Sequence, residues 1–438
     1  MLPAGVRPAV VHVADERIAR VAPYDDPLPP DVELRDVGAF AVMPGIVDTH
    51  VHFNDPGRAD WEGFDTGTAA AAAGGVTTVI DMPLNSIPAT TSVEGLDAKR
   101  ASARGRVRVD VGFWGGVVPG NAGELAALGD AGVCGFKCFL VPSGVDEFPA
   151  VDERDLRQAL PLLAEHRLPL LAHAESPAFL VPIARQAPRA RYTTWLASRP
   201  PEAEVEAIRL LVDLSHEFHT PIHIVHLAAS QAIPMLEAAK SRGVSITVET
   251  CPHYLTFCAE DISPGATAYK CAPPIRARET REALWRALEG GIIDFVATDH
   301  SPCPPSMKPA GDFPGAWGGI ASLELSLAAL WTEAARRHLS LDRIAGWLSA
   351  SPARLAGVDD RKGAIAEGKH ADLVIWDPDA EFVVDASRLR QRHKLTPYAD
   401  RRLRGRVRET YVRGRVVYRD GATGDLTSPA GELLSRTN

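Results

Sequence analysis

Six side chains in this sequence share one chemistry: each can bind metal, and each stands at the end of a short apolar run. The run 45–53 carries His50 and His52, and 133–137 ends in Lys137. The runs 168–173, 221–226 and 292–299 end in His173, His226 and Asp299. As parallel strands of one barrel, these runs would bring all six groups to a single rim. Two divalent cations held by four imidazoles, a carboxylated lysine and a carboxylate would share a bridging water and lower its pKa towards neutrality. One cation would polarise a substrate carbonyl. Asp299, beside the hydroxide, is the natural base and then the proton donor to a leaving nitrogen. Such a site hydrolyses amides, lactones or phosphoesters, and at this level all three stay open.

Taken singly, each residue has a plainer reading. His50 and His52 are two apart on a strand and share a face, which suits a metal but also a structural pair. An apolar strand before them and Pro56-Gly57 after them favour the metal. Lys137 is one of only eight lysines among 47 basic residues. At a strand end it can snorkel, pair with a carboxylate, or serve as a catalytic amine. Its remaining option is to take up CO2 as the neutral amine, which a desolvated, cation-rich site favours. The resulting N6-carboxylysine bridges two cations, and the four histidines and the aspartate make this the leading reading. His173 or His226 alone reads as a core histidine, and Asp299 as a helix cap. His216 and His219 sit near a helix end and His223 is off the face of its strand, so these three are left out.

Something must position these groups. Between residues 44 and 360 the sequence alternates short apolar runs with helical segments, the mark of βα units. The runs 75–81, 107–113 and 243–249 carry no ligand and raise the count to eight. That count predicts an α/β fold, a (β/α)8 TIM-like barrel over 44–360, although a doubly wound sheet has a similar alternation. Helices are expected over 202–219, after Pro201, and over 231–242, with Ser230 as N-cap and Gly243 at the end. Strand-like pieces at 9–13, 18–21, 371–376 and 409–418 predict a small β domain built from 1–43 and 361–438.

Composition narrows the partners. A formal net charge of -9 argues against nucleic acid, whose phosphates need a clustered basic surface. The arginine-rich stretch 401–408 reads as a solvated, salt-bridged face. The six cysteines form no CxxC pair and read as reduced, buried thiols of a cytoplasmic protein. No basic stretch with an apolar core opens the chain, so no signal peptide is expected. No run nears the roughly 20 apolar residues that span a bilayer, so no membrane partner is expected.

Longer motifs surround the six residues. They include 50–58 followed by Trp61-Glu62-Gly63-Phe64, then 81–85, 135–139, 251–254, 270–276, 299–305, 317–320 and 392–398. With these the chain resembles the cyclic amidohydrolases, in the branch that opens the hydantoin ring of allantoin. Asn54 stands where the dihydroorotase form usually has arginine for a substrate carboxylate. The resemblance implies a metal-dependent hydrolase making allantoate from a cyclic ureide. It places His50, His52 and Asp299 on one metal and His173 and His226 on the other, with carboxylated Lys137 between. Zinc is the foremost metal, and cobalt, manganese and iron also suit the donors. Asn85, Ala272 and the backbone near Gly319 are the implied substrate contacts, and a homotetramer the implied assembly. Members usually have one more strand before the piece that starts near Val6 here. Competing readings are a dihydropyrimidinase or hydantoinase, a dihydroorotase, and a non-enzymatic scaffold. The last is disfavoured because all six ligand positions are filled.

Overall fold

The computed structural model describes residues 1–3, 5–421 and 429–436, so part of the expected 361–438 segment lies outside the described residues. Each of the eight apolar runs supplies a strand. These are β4 (Ile46–Val51), β5 (Val76–Asp81), β6 (Asp110–Phe113) with its continuation β7 (Gly115–Gly116), β8 (Phe136–Phe139), β9 (Leu170–His173), β10 (Ile222–Ile224), β11 (Ile246–Thr250) and β12 (Phe295–Val296); β1 (Ala9–Ala14), β2 (Arg17–Pro23) and β3 (Ala41–Pro44) precede them.

Parallel pairing runs β4-β5-β6 and β7-β8-β9-β10-β11-β12. Trp114 joins β6 to β7. The ring closes where His52 N donates to His300 O at 2.8 Å and His300 N to His50 O at 3.2 Å. The barrel expected from the count is therefore present, not a doubly wound sheet. Its strands are buried almost throughout, as expected for parallel strands with side chains inside and helices outside. Their register turns the C-terminal strand ends into one rim, where barrel enzymes carry their chemistry.

Outside the barrel, β3 pairs antiparallel with β13 (Leu373–Val383), which pairs with β14 (Arg402–Val412) and then β15 (Arg415–Arg419). The hairpin β1-β2 is tied on by Ile18 N to Lys369 O at 2.8 Å. Beneath the barrel, Lys362 Nζ lies 2.5 Å from both Asp110 and Asp372. This buried pairing fixes the start of β6 against the sheet.

Local expectations shift at the ends. The first helix covers Pro201–Phe218, and His219 ends it in the left-handed region at φ 54°. Ser230 caps nothing; it opens a short 3-10 turn, Ser230–Ala232, before the helix Ile233–Ser241. Strand β6 starts at Asp110, three residues later than the apolar run, because residues 104–108 turn out of the preceding helix.

Candidate metal centre and active site

The six expected residues converge. His50 lies in β4 with His52 just beyond it, Lys137 in β8, and His173 at the end of β9. His226 and Asp299 fall two and three residues past β10 and β12. Both adopt positive φ, 42° and 45°, a region uncommon for residues other than glycine, though histidine and aspartate enter it more readily than most. His50 Nε2 and His52 Nε2 stand 3.2 and 3.3 Å from Asp299 Oδ1. One atom from each of the three residues lies within 4.8 Å of the others. The His173 and His226 rings are 4.6 Å apart, and His226 is 5.4 Å from His50.

Buried carboxylates that sequence reading missed orient these rings. Glu249, on β11, accepts from His50 Nδ1 at 2.5 Å and from His223 Nε2 at 3.1 Å. Its partner His223 is thus a satisfied core histidine, as expected. Glu175 bonds His173 Nε2 at 2.6 Å, leaving Nδ1 for the cavity, and accepts from Arg199 Nη1. Asp48 accepts from His50 N at 3.1 Å, and burial raises it to about 6. A signal existed for Glu175 and Asp48: each lies two residues from a candidate histidine, Asp48 on the same strand face and Glu175 just past the end of β9. Glu249 closes the run 243–249 as Asp299 closes 292–299, yet that run reads as carrying no ligand.

Burial sets the protonation of the site. It pushes His52 down to about 4 and also lowers His173 and His226, so these imidazoles are neutral, the form that binds metal. Burial opposes the charge of Asp299, but His50 and His52 outweigh it and hold the carboxylate ionised. Lys137 is fully buried, and its Nζ has no hydrogen-bond partner among the described residues. Burial lowers this amine to about 8. Its charge acts on His52, His173 and His226, which places it among them.

These groups, Lys137 excepted, line a cavity of about 370 Å³. Asn85 and Ala272, the two side chains implied as substrate contacts, also line it. Gly318 does so rather than Gly319, whose Cα packs on Ser301 so tightly that an added Cβ would lie 2.4 Å from a carbonyl oxygen. All six cysteines are free and buried. A second cluster, Asp110, His370 and Asp372, is filled by the Lys362 ammonium and by Arg413, and is an ion-pair network.

An amidohydrolase family model matches residues 41–417. The chain is 49% identical to an allantoinase of Streptomyces avermitilis over 434 residues, covering 99% of this chain and 96% of that one. It is 45% identical to an allantoinase of Arabidopsis thaliana over 406 residues, covering 89% and 80%. Among solved structures, the L-hydantoinase (dihydropyrimidinase) of Arthrobacter aurescens superposes with a TM-score of 0.91 at 32% identity, covering 98% and 96%. A match over nearly the whole barrel, with relatives of this identity along its full length, makes the chain a member of the amidohydrolase family, in its cyclic-amidohydrolase branch.

Proposed function

We propose that this chain hydrolyses the hydantoin ring of allantoin to allantoate. The observation that carries the reading is the convergence of His50, His52, His173, His226, Lys137 and Asp299, in a chain 49% identical to an allantoinase.

The donors fit a pair of divalent cations. Neutral buried imidazoles face an ionised carboxylate, and Lys137 Nζ is an orphaned buried amine that carboxylation would satisfy. His50, His52 and Asp299 would hold one ion, His173 and His226 the other, with N6-carboxylated Lys137 between. Zinc suits this set best, and cobalt, manganese and iron are alternatives. When bound, the ions supply Lewis acidity and make water a nucleophile near neutral pH.

The chain's own groups do the rest. Asp299 takes a proton from the attacking water and returns it to the ring nitrogen as the acyl C–N bond breaks and the C–O bond forms. Asn85 and Trp317 line the cavity, and their Oδ1 and Nε1 atoms are buried with no partner among the described residues. One accepts and the other donates, which matches a ligand made of amide N–H and C=O groups. Asn54 Oδ1 accepts from Asn85 Nδ2 at 3.0 Å and so orients it.

The likeness to a dihydropyrimidinase favours a second reading, hydantoin or dihydropyrimidine opening by the same groups. Purified protein incubated with allantoin, hydantoin and dihydroorotate, with and without added divalent metal, separates them. Allantoate formed from allantoin alone supports the first reading, and turnover of hydantoin without allantoin overturns it. A homotetramer follows from the family relationship and is checked by light scattering. The reduced, buried thiols support a cytoplasmic setting. Among the described residues no helix is long and apolar enough to cross a membrane.

A further inference from the structure

Two cations share one wall of the cavity. Lys270 Nζ lies 4.1 Å from the centre of the Trp195 ring, and the Arg199 guanidinium lies 4.9 Å from it. All three residues line the cavity, together with the six-membered cluster's histidines and Asp299. Lys270 has no part in the hydrolytic machinery described above, and Arg199 touches it only through Glu175.

Among the described residues Lys270 has no carboxylate partner, while Arg199 keeps the buried Glu175. Lys270 Nζ donates to two backbone carbonyls, Pro314 O at 3.1 Å and Ala316 O. Among the described residues no carboxylate makes an ion pair with it. Asp312, which acts on it from a distance, pairs instead with Arg189 at 2.6 Å. Arg199 spends one N–H on Glu175 and stacks its remaining face on Trp195. Burial, followed by Lys308 and Arg199, pushes Lys270 down to about 7, so an arriving anion would restore its charge. A buried ammonium with a free N–H and no carboxylate is built for an anionic visitor.

The reaction proposed above makes such a visitor. Water adds to the acyl carbon, the C–N bond breaks, and a neutral ring becomes a carboxylate with a free N–H. We infer that Lys270 and Arg199, gathered on Trp195, form an anion-accepting wall that holds the carboxylate of ring-opened ureido acids. The inference rests on the cyclic-amide reading of this site but not on allantoin as the ring.

The test uses two neutral-ring ligands of one shape, hydantoin-5-acetate and hydantoin-5-acetamide, whose binding to the metal-loaded enzyme is read by calorimetry without turnover. The acid is expected to bind at least about tenfold more tightly than the amide, the ratio that one charge-assisted hydrogen bond gives. Added salt shrinks the ratio. Lys270→Gln, whose amide still donates to the Pro314 and Ala316 carbonyls, lowers the ratio several-fold to what Arg199 alone supports, and Lys270→Arg keeps it. Equal binding of acid and amide to the native enzyme overturns the inference. A preference that K270Q leaves undiminished also overturns it, because Lys270 would then take no part in holding the anion. An enzyme that shows the preference yet leaves allantoin intact overturns the substrate reading and spares this one.

Discussion

Glu249 and His50 form a close buried pair at the rim: Oε1 lies 2.5 Å from Nδ1, with both groups fully buried. That bond fixes the tautomer, so Nε2 points at Asp299. A carboxylate behind a ligating histidine also raises the ring's basicity. Glu249→Gln keeps the shape and removes the charge. Its metal affinity should fall by about 10- to 100-fold, the usual effect of losing such a partner. Metal content after dialysis against graded chelator reads the change directly. Unchanged retention would mean that His50 is not a ligand.

Lys137 carries the sharpest prediction. Truncation to alanine removes the amine that would bridge the ions and opens space at its place. Activity should drop by about a thousandfold or more, as when a preorganised charged group is lost. Acetate or propionate should restore part of it by supplying a carboxylate where the carbamate stood. Full activity of the unsupplemented Lys137→Ala variant would remove the bridging role.

The barrel and the six convergent groups were legible because each depends on a local pattern. A parallel strand buried on both faces reads as a continuous apolar run, and a polar residue at its end stands out. Glu249 also stands at the end of an apolar run, but its role was hidden, because its carboxylate matters only through two histidines brought to it by the fold. Lys270 and Arg199 were equally hidden, because Trp195 joins segments some 75 residues apart (Arg199 Nη1 to Glu175 and Trp195 Nε1 to Cys271 O place it). Ser230 misled as a cap because a 3-10 turn comes between it and its helix. The shift from Gly319 to Gly318 at the cavity wall reflects one peptide of loop geometry, which spacing does not encode.

Asn85 holds its left-handed backbone, φ 65°, while its side chain reaches Asn54. Its Oδ1 is left for the cavity. Replacement by alanine should raise KM by about tenfold, the equivalent of one hydrogen bond near 1.4 kcal/mol. Metal content should not change, since Asn85 touches none of the candidate ligands. A drop in bound metal with KM unaltered would contradict the assignment to substrate.

Lys308 links pH to stability with a definite sign. It is buried, and its Nζ donates to Lys270 O at 2.9 Å and Thr267 O at 3.2 Å, stapling two loops at the cavity mouth. Burial lowers it to about 8 from an ordinary 10.5. Between those values the unfolded chain keeps a proton that the folded chain has released, so stability rises with pH across the window. Below about 8 the folded protein carries the full desolvation penalty, which corresponds to roughly 3 kcal/mol over the whole window. Lys308→Met lacks this titration. Denaturant midpoints at pH 7, 8, 9 and 10 should therefore show the wild type gaining stability relative to the variant as pH rises, whatever the constant cost of the lost hydrogen bonds. Parallel curves for the two proteins would place Lys308 in contact with water and unshifted.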